Sequence, residues 1–298
     1  MNSKDYISTI EPKKKWLDVD IKGLWHYRDL YYMNIKRDIV TQYKQTILGP
    51  LWYLIQPLFT TIMYMFVFGG LAGISTDGVP QPLFYLCGTC LWTYFNSCFT
   101  ACSNVFAANQ GVFGKVYFPR LVVPLSSVTS NLIKFAIQLA MFAFIFIYYL
   151  CFKDYNADFG FIKDYGIAIG GLLTIALPIL LTFMVGMHAM AWGLIITSLT
   201  TKYRDLNMLI AFGVQLLMYA TPVIYPLSFA PEHYRIFLNV NPLTPIFEAF
   251  KYVFLGAGTF DVLSLGYSLV TLCIVMFFAV ILFNRTEQRF MDTVELLY

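Results

Sequence analysis

The chain has 298 residues, 58% of them hydrophobic and only 12% charged, with a net charge of +3 and a mean hydropathy of +0.64. A soluble domain carries about 25% charged residues, so the composition excludes an ordinary soluble domain, and so modest a charge gives no reason to expect a nucleic-acid partner. Uncharged runs of roughly 20 residues or more recur, each able to cross a ~30 Å hydrocarbon core, whereas the period-two alternation of a transmembrane barrel is absent.

In chain order, residues 1–20 form a polar lead containing Lys13, Lys14 and Lys15, with no apolar core of a cleavable signal peptide. Residues 21–47 read as an amphipathic helix, with Leu24, Tyr27, Tyr31, Ile35 and Ile39 three to four apart and basic residues elsewhere. Such a helix lies along the inner membrane surface. Gly49-Pro50 breaks it, and Pro50 is tolerated near the first position of the next helix. Six spans follow, near 48–72, 82–108, 125–151, 166–199, 206–221 and 262–284. The fourth is long and carries Gly170, Gly171, Pro178 and Gly186, but it is too short for two crossings and a turn.

Between the fifth and sixth spans, Pro222, Pro226, Pro231, Pro242 and Pro245 cut residues 222–257 into pieces too short to cross. Asn241-Pro242 suits the start of a short helix. Short helices re-entering the outer leaflet are predicted there, because irregular backbone at membrane depth must face protein or water. The expectation is an all-α polytopic membrane protein: a lead at 1–20, an interface helix at 21–47, a six-span domain at 48–284 and a cytoplasmic tail at 285–298.

The basic residues give sidedness. With the amino terminus inside, fifteen of the twenty Lys and Arg fall on inside segments. Four fall outside (Lys153, Lys163, Arg235 and Lys251), and Lys134 alone lies within a span. That split obeys the positive-inside rule and places both termini in the cytoplasm. Of six cysteines, Cys87, Cys90, Cys98, Cys102 and Cys273 lie within spans and Cys151 at a span end. The first four share one face of the second span, which reads as small-residue packing rather than a disulfide framework.

Catalytic chemistry finds no purchase. His26, His188 and His233 are isolated, no cluster has metal-ligand spacing, and the acidic residues lie mostly in loops or terminal segments. An ion-coupled transporter needs carboxylates inside the membrane. Gly111-x-x-Gly114-Lys115 hints at a phosphate loop, but the spacing is wrong and Val116 stands where a hydroxyl belongs. No catalytic residue and no metal site is predicted.

The spans instead carry polar and aromatic stripes. Trp52, Gln56, Thr60 and Tyr64 follow one another on the first. Thr89, Trp92, Asn96, Thr100 and Ser103 share a face of the second, flanked by Thr93 and Phe99, and Asn207, Phe212, Gln215 and Tyr219 do so on the fifth. Hydroxyls and amides beside aromatic plates suit a neutral, hydroxyl-rich passenger, whereas the plain alternative is hydrogen bonding between helices. Ser127, Asn131, Lys134 and Gln138 form a further stripe on the third span, with Lys134 snorkelling or facing a neighbouring helix. Gly69-x-x-x-Gly73 is a weak signal for close helix packing.

Three stretches, RDIVTQYKQTILGPLWYLIQP at 37–57, GKVYFPRLVVPL at 114–125 and TKYRDL at 201–206, resemble the permease subunits of bacterial ABC type-2 exporters. The likeness is strongest to those that move O-antigen, capsule and teichoic-acid polymers. It implies a homodimer with two separate ABC ATP-binding subunits, and hence no cofactor on this chain; ATP and Mg would sit on the partner. It further implies an interface helix at about 21–47 and a coupling helix at 115–124. The ATPase contacts would be Lys115, Val116, Tyr117, Phe118, Pro119 and Arg120, with Arg120 pairing with an acidic rim, and then Lys202, Arg204 and Asp205 in the next cytoplasmic loop. An external gate would lie within 222–257, at Pro222, Tyr225, Asn241 and Pro242.

The expected cargo is a lipid-linked polysaccharide crossing the bacterial inner membrane, O-antigen first among the choices. Arg37 and Lys44 would hold its headgroup near Trp52, though they also read as plain positive-inside anchors. The path would run along Trp52, Gln56, Thr60, Tyr64, Thr89, Trp92, Asn96, Phe99, Thr100, Ser103, Gln215 and Tyr219. A permease for drugs or small lipids shares the fold, and a membrane glycosyltransferase or polymerase would need an acidic catalytic group that the sequence does not show.

Overall fold

The computed structural model describes residues 21–44, 48–113, 118–153, 155, 160–201 and 205–295, and every regular element among them is helical. Helices α1 (Ile21–His26) and α2 (Arg28–Tyr43) lead into a 3₁₀ turn at Gly49–Leu51 and then α3 (Trp52–Tyr64), which continues as a π-helical stretch, Met65–Leu71. Next come α4 (Gln81–Ser103), the single turns α5 (Val105–Ala108) and α6 (Gln110–Phe113), and the long α7 (Val122–Phe152) and α8 (Gly160–Thr200). The chain ends with α9 (Leu206–Tyr219), the short α10 (Glu232–Val240) and α11 (Thr244–Leu255), and α12 (Val262–Glu295). The end of the bundle carrying α1 and α2 is called basal here, and the opposite end distal.

Four helical stretches are long and apolar enough to cross a membrane among the described residues: Trp52–Leu71, Val122–Phe152, Gly170–Thr200 and Val262–Glu287. Their outward faces carry large apolar side chains such as Phe59, Phe144, Ile175 and Phe277, as a helix in hydrocarbon requires. The bundle is a polytopic helical membrane protein. The fourth predicted span is a single helix running through Pro178.

Helix α4 is the hub. It packs against α3, α7, α8 and α11, and most of its 23 residues are buried. Its cysteine face meets α7: the Cys90, Cys98 and Cys102 thiols lie 3.9, 4.0 and 3.8 Å from the carbonyls of Gln138, Val128 and Pro124. On the other side α8 presses close enough that a Cβ at Gly193 would lie 2.5 Å from the Cys102 Cβ. Small residues on both helices allow this approach, which van der Waals packing in a membrane rewards. Gly73, by contrast, makes no close packing contact. It turns the chain after the π stretch with φ +63 and open space around its Cα.

The α2 helix lies along the basal part of α7. The predicted apolar face is only half-buried, and the inward contacts are largely polar. Asn34 is buried, the Tyr31 and Thr129 hydroxyls are 2.6 Å apart, and the Ser130 hydroxyl donates to Asp38 at 3.4 Å. This helix docks by hydrogen bonds as much as by apolar burial.

Candidate functional site

A groove of about 690 Å³ opens between α3, α4 and α9. Eight of the twelve path residues predicted from sequence line it: Tyr64 from α3, Trp92, Asn96, Phe99, Thr100 and Ser103 from α4, and Gln215 and Tyr219 from α9. Steps of three and four residues bring the five on α4 to one face. Asn104, Ile210, Ala211, Val214 and Met218 complete the wall. The stripe reading missed them, although Ala211 lies four residues before Gln215 and extends the same face.

The aromatic plates are held from behind. The Trp92 ring lies 5.3 Å from Phe95 and 6.3 Å from Phe247, and Phe99 stacks on Phe95 at 6.0 Å. Tyr64 is fixed by Phe68 and Tyr85 on its flanks, and its hydroxyl meets the Met218 sulfur at 3.6 Å. Among the described residues no Asp, Glu, Lys or Arg lines the groove. Rings of this kind offer π faces to C–H groups, and the amides and hydroxyls both donate and accept.

The other four predicted path residues lie elsewhere. Thr89 is buried and donates to the Leu86 carbonyl at 3.1 Å. Thr60 donates to the Gln56 carbonyl at 2.9 Å. Gln56 and Trp52 are exposed towards the basal end of α3. Arg37 and Lys44, the predicted headgroup cations, are both exposed, and Arg37 forks onto its neighbour Asp38 at 3.1 and 3.3 Å.

The basal loop before α7 differs from expectation. Arg120 is not turned out towards a partner: it is 4% exposed. One guanidinium nitrogen donates to the Phe113 carbonyl at 3.1 Å and another to the Glu287 carbonyl at 3.3 Å, while its Nε lies 3.7 Å from the Glu287 carboxylate. The acidic group expected on an ATPase is supplied by α12 of the same chain. Phe118 is likewise buried, edge-on to Phe113, so it fills this chain's own core rather than a partner's cleft. Pro124 lies in the first turn of α7, and the described part of the predicted coupling segment, 118–121, forms no helix of its own. Pro119 is half-buried and Asp205 exposed. Lys115, Val116, Tyr117, Lys202 and Arg204 lie outside the described residues.

At the distal end, α10 and α11 form a short helical pair. Asn241 clasps the end of α9: its amide donates to the Ala220 carbonyl at 3.1 Å and the Thr221 hydroxyl at 2.8 Å, while its carbonyl accepts from the Leu243 N–H at 3.0 Å. Tyr225 donates to the Tyr219 carbonyl at 2.8 Å. Pro222 is buried and Pro242 half-buried beside them. The predicted gate residues therefore meet at the tip of the groove helix.

Lys251, counted from sequence as an outer-loop cation, is buried in α11. It is ion-paired with Glu248 at 2.9 Å, three residues before it, and lies 4.8 Å over the Phe84 ring. Sequence reading missed this pair. The signal was present as opposite charges at i and i+3 within the apolar run PIFEAFKYVF.

Comparison with known proteins agrees with this architecture. Over 273 residues, 91% of this chain and 96% of the relative, it is 26% identical to the O-antigen export system permease protein RfbA of Klebsiella pneumoniae. A protein of the same name from Myxococcus xanthus is 23% identical over 237 residues, 78% of this chain and 83% of that one. The polysialic acid transport protein KpsM of Escherichia coli is 21% identical over 258 residues, 86% and 93% of the two chains. The sequence profile of the ABC-2 type transporter matches residues 29–255, all of the bundle except α1 and α12: the chain belongs to the ABC-2 type transporter family.

Proposed function

We propose that this chain is the permease subunit of an ATP-driven exporter that moves a lipid-linked polysaccharide, most simply an O-antigen, across the bacterial inner membrane. The observation that carries the proposal is the groove: Trp92, Phe99, Tyr64 and Tyr219 interleave with Asn96, Thr100, Ser103 and Gln215 without a charge among them. Relatives that carry names of O-antigen and polysialic acid export support the same class of cargo. Two copies facing each other across α3 and α9 would close two such grooves into one path. Met208, Phe212 and Leu216 of α9, and Ile62 and Phe66 of α3 and its extension, are exposed and apolar and would meet across that interface.

On this reading, α3, α4, α7, α8, α9 and α12 are six crossings, with α2 at the cytoplasmic surface and α10–α11 dipping into the outer leaflet as the gate. Energy comes from separate ATP-binding subunits that meet the basal loops around 114–121 and 201–205. Movement of the first loop reaches α12 directly through Arg120 and Glu287.

The test is deletion of the gene and complementation with wild type or with Trp92→Ala/Tyr219→Ala. Wild type restores surface glycan. The double variant, present in the membrane at normal level, is expected to leave the polymer inside the cell. Full surface glycan with the double variant refutes the groove as the path.

A further inference from the structure

A second cavity, of about 450 Å³, lies beside the groove, between α2, α4 and α7. Its volume falls within the ~300–1,000 Å³ usual for small-molecule sites. Asp38 of α2, Asn96 and Thr100 of α4, and Ser127, Asn131 and Lys134 of α7 line it. Asn96 and Thr100 line the groove as well, so the two spaces share a wall on α4.

Lys134 is the sole charge in the apolar body of α7, about 13 Å along the helix from its basal turn by helical rise. Its ammonium touches neutral groups, the Asn131 side-chain oxygen at 2.7 Å and the Tyr53 ring at 5.7 Å, and feels the Asp38 carboxylate across the cavity. No carboxylate lies within ion-pair distance of it among the described residues. Asp38, the acid in the same cavity, is answered by Arg37 at 3.1 Å and by the Ser130 hydroxyl at 3.4 Å. A cation inside a membrane protein ordinarily finds a counter-charge. Here the cavity leaves room for one to arrive from outside.

We infer that this cavity is a binding site for the phosphate of a membrane-borne phosphate ester, with Lys134 as the anion-recognising group. Lysine binds phosphate as a point charge. The Ser127 hydroxyl and the Asn96 amide would donate to the remaining oxygens, joined by the second N–H of Asn131, whose first goes to the Ser127 carbonyl at 2.9 Å, and by the Thr100 hydroxyl on turning from Asn96. Asp38 accepts from a hydroxyl on the esterified group, which favours a glycosyl phosphate over a bare one. The inference rests on the proposed function, because a glycan whose phosphate sits at Lys134 would enter the groove through the wall the two spaces share, at Asn96 and Thr100.

The experiment uses the permease with its ATP-binding partner in nanodiscs of uncharged lipid. Four probes are titrated: a polyprenyl diphosphate-linked sugar, polyprenyl phosphate, phosphatidylglycerol and uncharged polyprenol. Wild type is expected to bind the three anionic probes better than polyprenol. Loss of a charge-assisted contact costs about 1.5–3 kcal/mol, so Lys134→Gln should weaken the anionic probes about tenfold or more and leave polyprenol unchanged. Lys134→Arg should stay close to wild type.

Asn131→Asp is the second variant, because it keeps the lysine and adds an ion pair instead of removing one. It should lose anionic binding as Lys134→Gln does. Tighter binding of the diphosphate sugar than of phosphatidylglycerol identifies the glycan carrier as the source of the phosphate. Equal binding, equally lost in Lys134→Gln, identifies a phospholipid headgroup in the same site. Anionic binding that is unchanged in both variants, or absent from wild type, overturns the inference. Failure of the glycan-export reading shows separately, as surface glycan that does not depend on the gene.

Discussion

The Glu248–Lys251 pair gives the sharpest test of how the distal end is held. At 2.9 Å, with an effective dielectric constant of about 20, the attraction is roughly 5–6 kcal/mol. Desolvating two ions costs several kcal/mol each, so the intact pair contributes little net stability. Removing one partner is different. In Lys251→Met the buried carboxylate keeps, among the described residues, the Thr259 N–H at 3.3 Å. In Glu248→Gln the ammonium keeps the Tyr225 carbonyl at 3.3 Å and the Phe84 face. Each single change is expected to cost about 3–5 kcal/mol, whereas the double variant Glu248→Gln/Lys251→Met should return to within about 1 kcal/mol of wild type. Unfolding free energies from steric trapping in bicelles complete the cycle. A coupling energy below about 0.5 kcal/mol, the level of independent sites, would refute the reasoning.

Three other expectations follow from the same contacts. Arg120→Lys keeps the charge but cannot span both the Phe113 carbonyl and Glu287; thermal melts should show a loss of about 1–3 kcal/mol, and ATP-driven export should fall more than melting temperature alone accounts for. Asn241→Leu removes the clasp on the end of α9, so limited proteolysis between 222 and 231 should accelerate in purified protein while the body of the bundle stays resistant. Asp261 caps α12, accepting from the Ser264 hydroxyl at 2.6 Å and the Ser264 and Leu263 N–H groups at 3.1 and 3.2 Å; the Ser264 hydroxyl first, then those two N–H groups, hold its carboxyl below the ordinary 3.8. A lowered folded-state value gives stability that is present above the unfolded value and lost as pH falls through the folded one. Wild type should therefore melt above Asp261→Ala at pH 7, with the gap narrowing as pH falls below about 4; a gap that does not narrow at all on acidification would count against the cap.

Much of the bundle is legible in the sequence because hydrocarbon leaves backbone few choices: uncharged runs become helices, and helices α3, α4, α7, α8, α9 and α12 fall where those runs lie. The groove was partly legible for a similar reason. Hydroxyls, amides and rings at three- and four-residue steps on α4 and α9 share a face whatever that face meets. Periodicity does not say which neighbour covers a face, so Thr89 on the same α4 stripe is buried against its own helix while Asn96 and Thr100 are open. Arg120 and Phe118 show the limit on the basal side. A short basic and aromatic loop reads as surface, and only the return of α12 nearly 170 residues later supplies Glu287 to draw the arginine inward. Lys251 reads as an outer cation because spacing shows Glu248 three residues before it but does not show that this face of α11 is buried, where the two must pair.

The π-helical turns at Met65–Leu71 hold slack in the winding. A helix in this register carries extra residue for its rise, and such segments are rare outside functional places. Taking out one residue there would let the remaining six rewind to ordinary pitch, so that the two flanks keep nearly their present bearing while the side chains within the stretch are re-spaced. Tyr64 and Phe68, one just before the loosened coil and one inside it, would then no longer present their rings together. The lining of the groove on the α3 side is thus set by a torsional adjustment within one helix, and a single deletion at 65–71, read out by cysteine cross-linking from residue 64 to residue 218, measures how much that adjustment contributes.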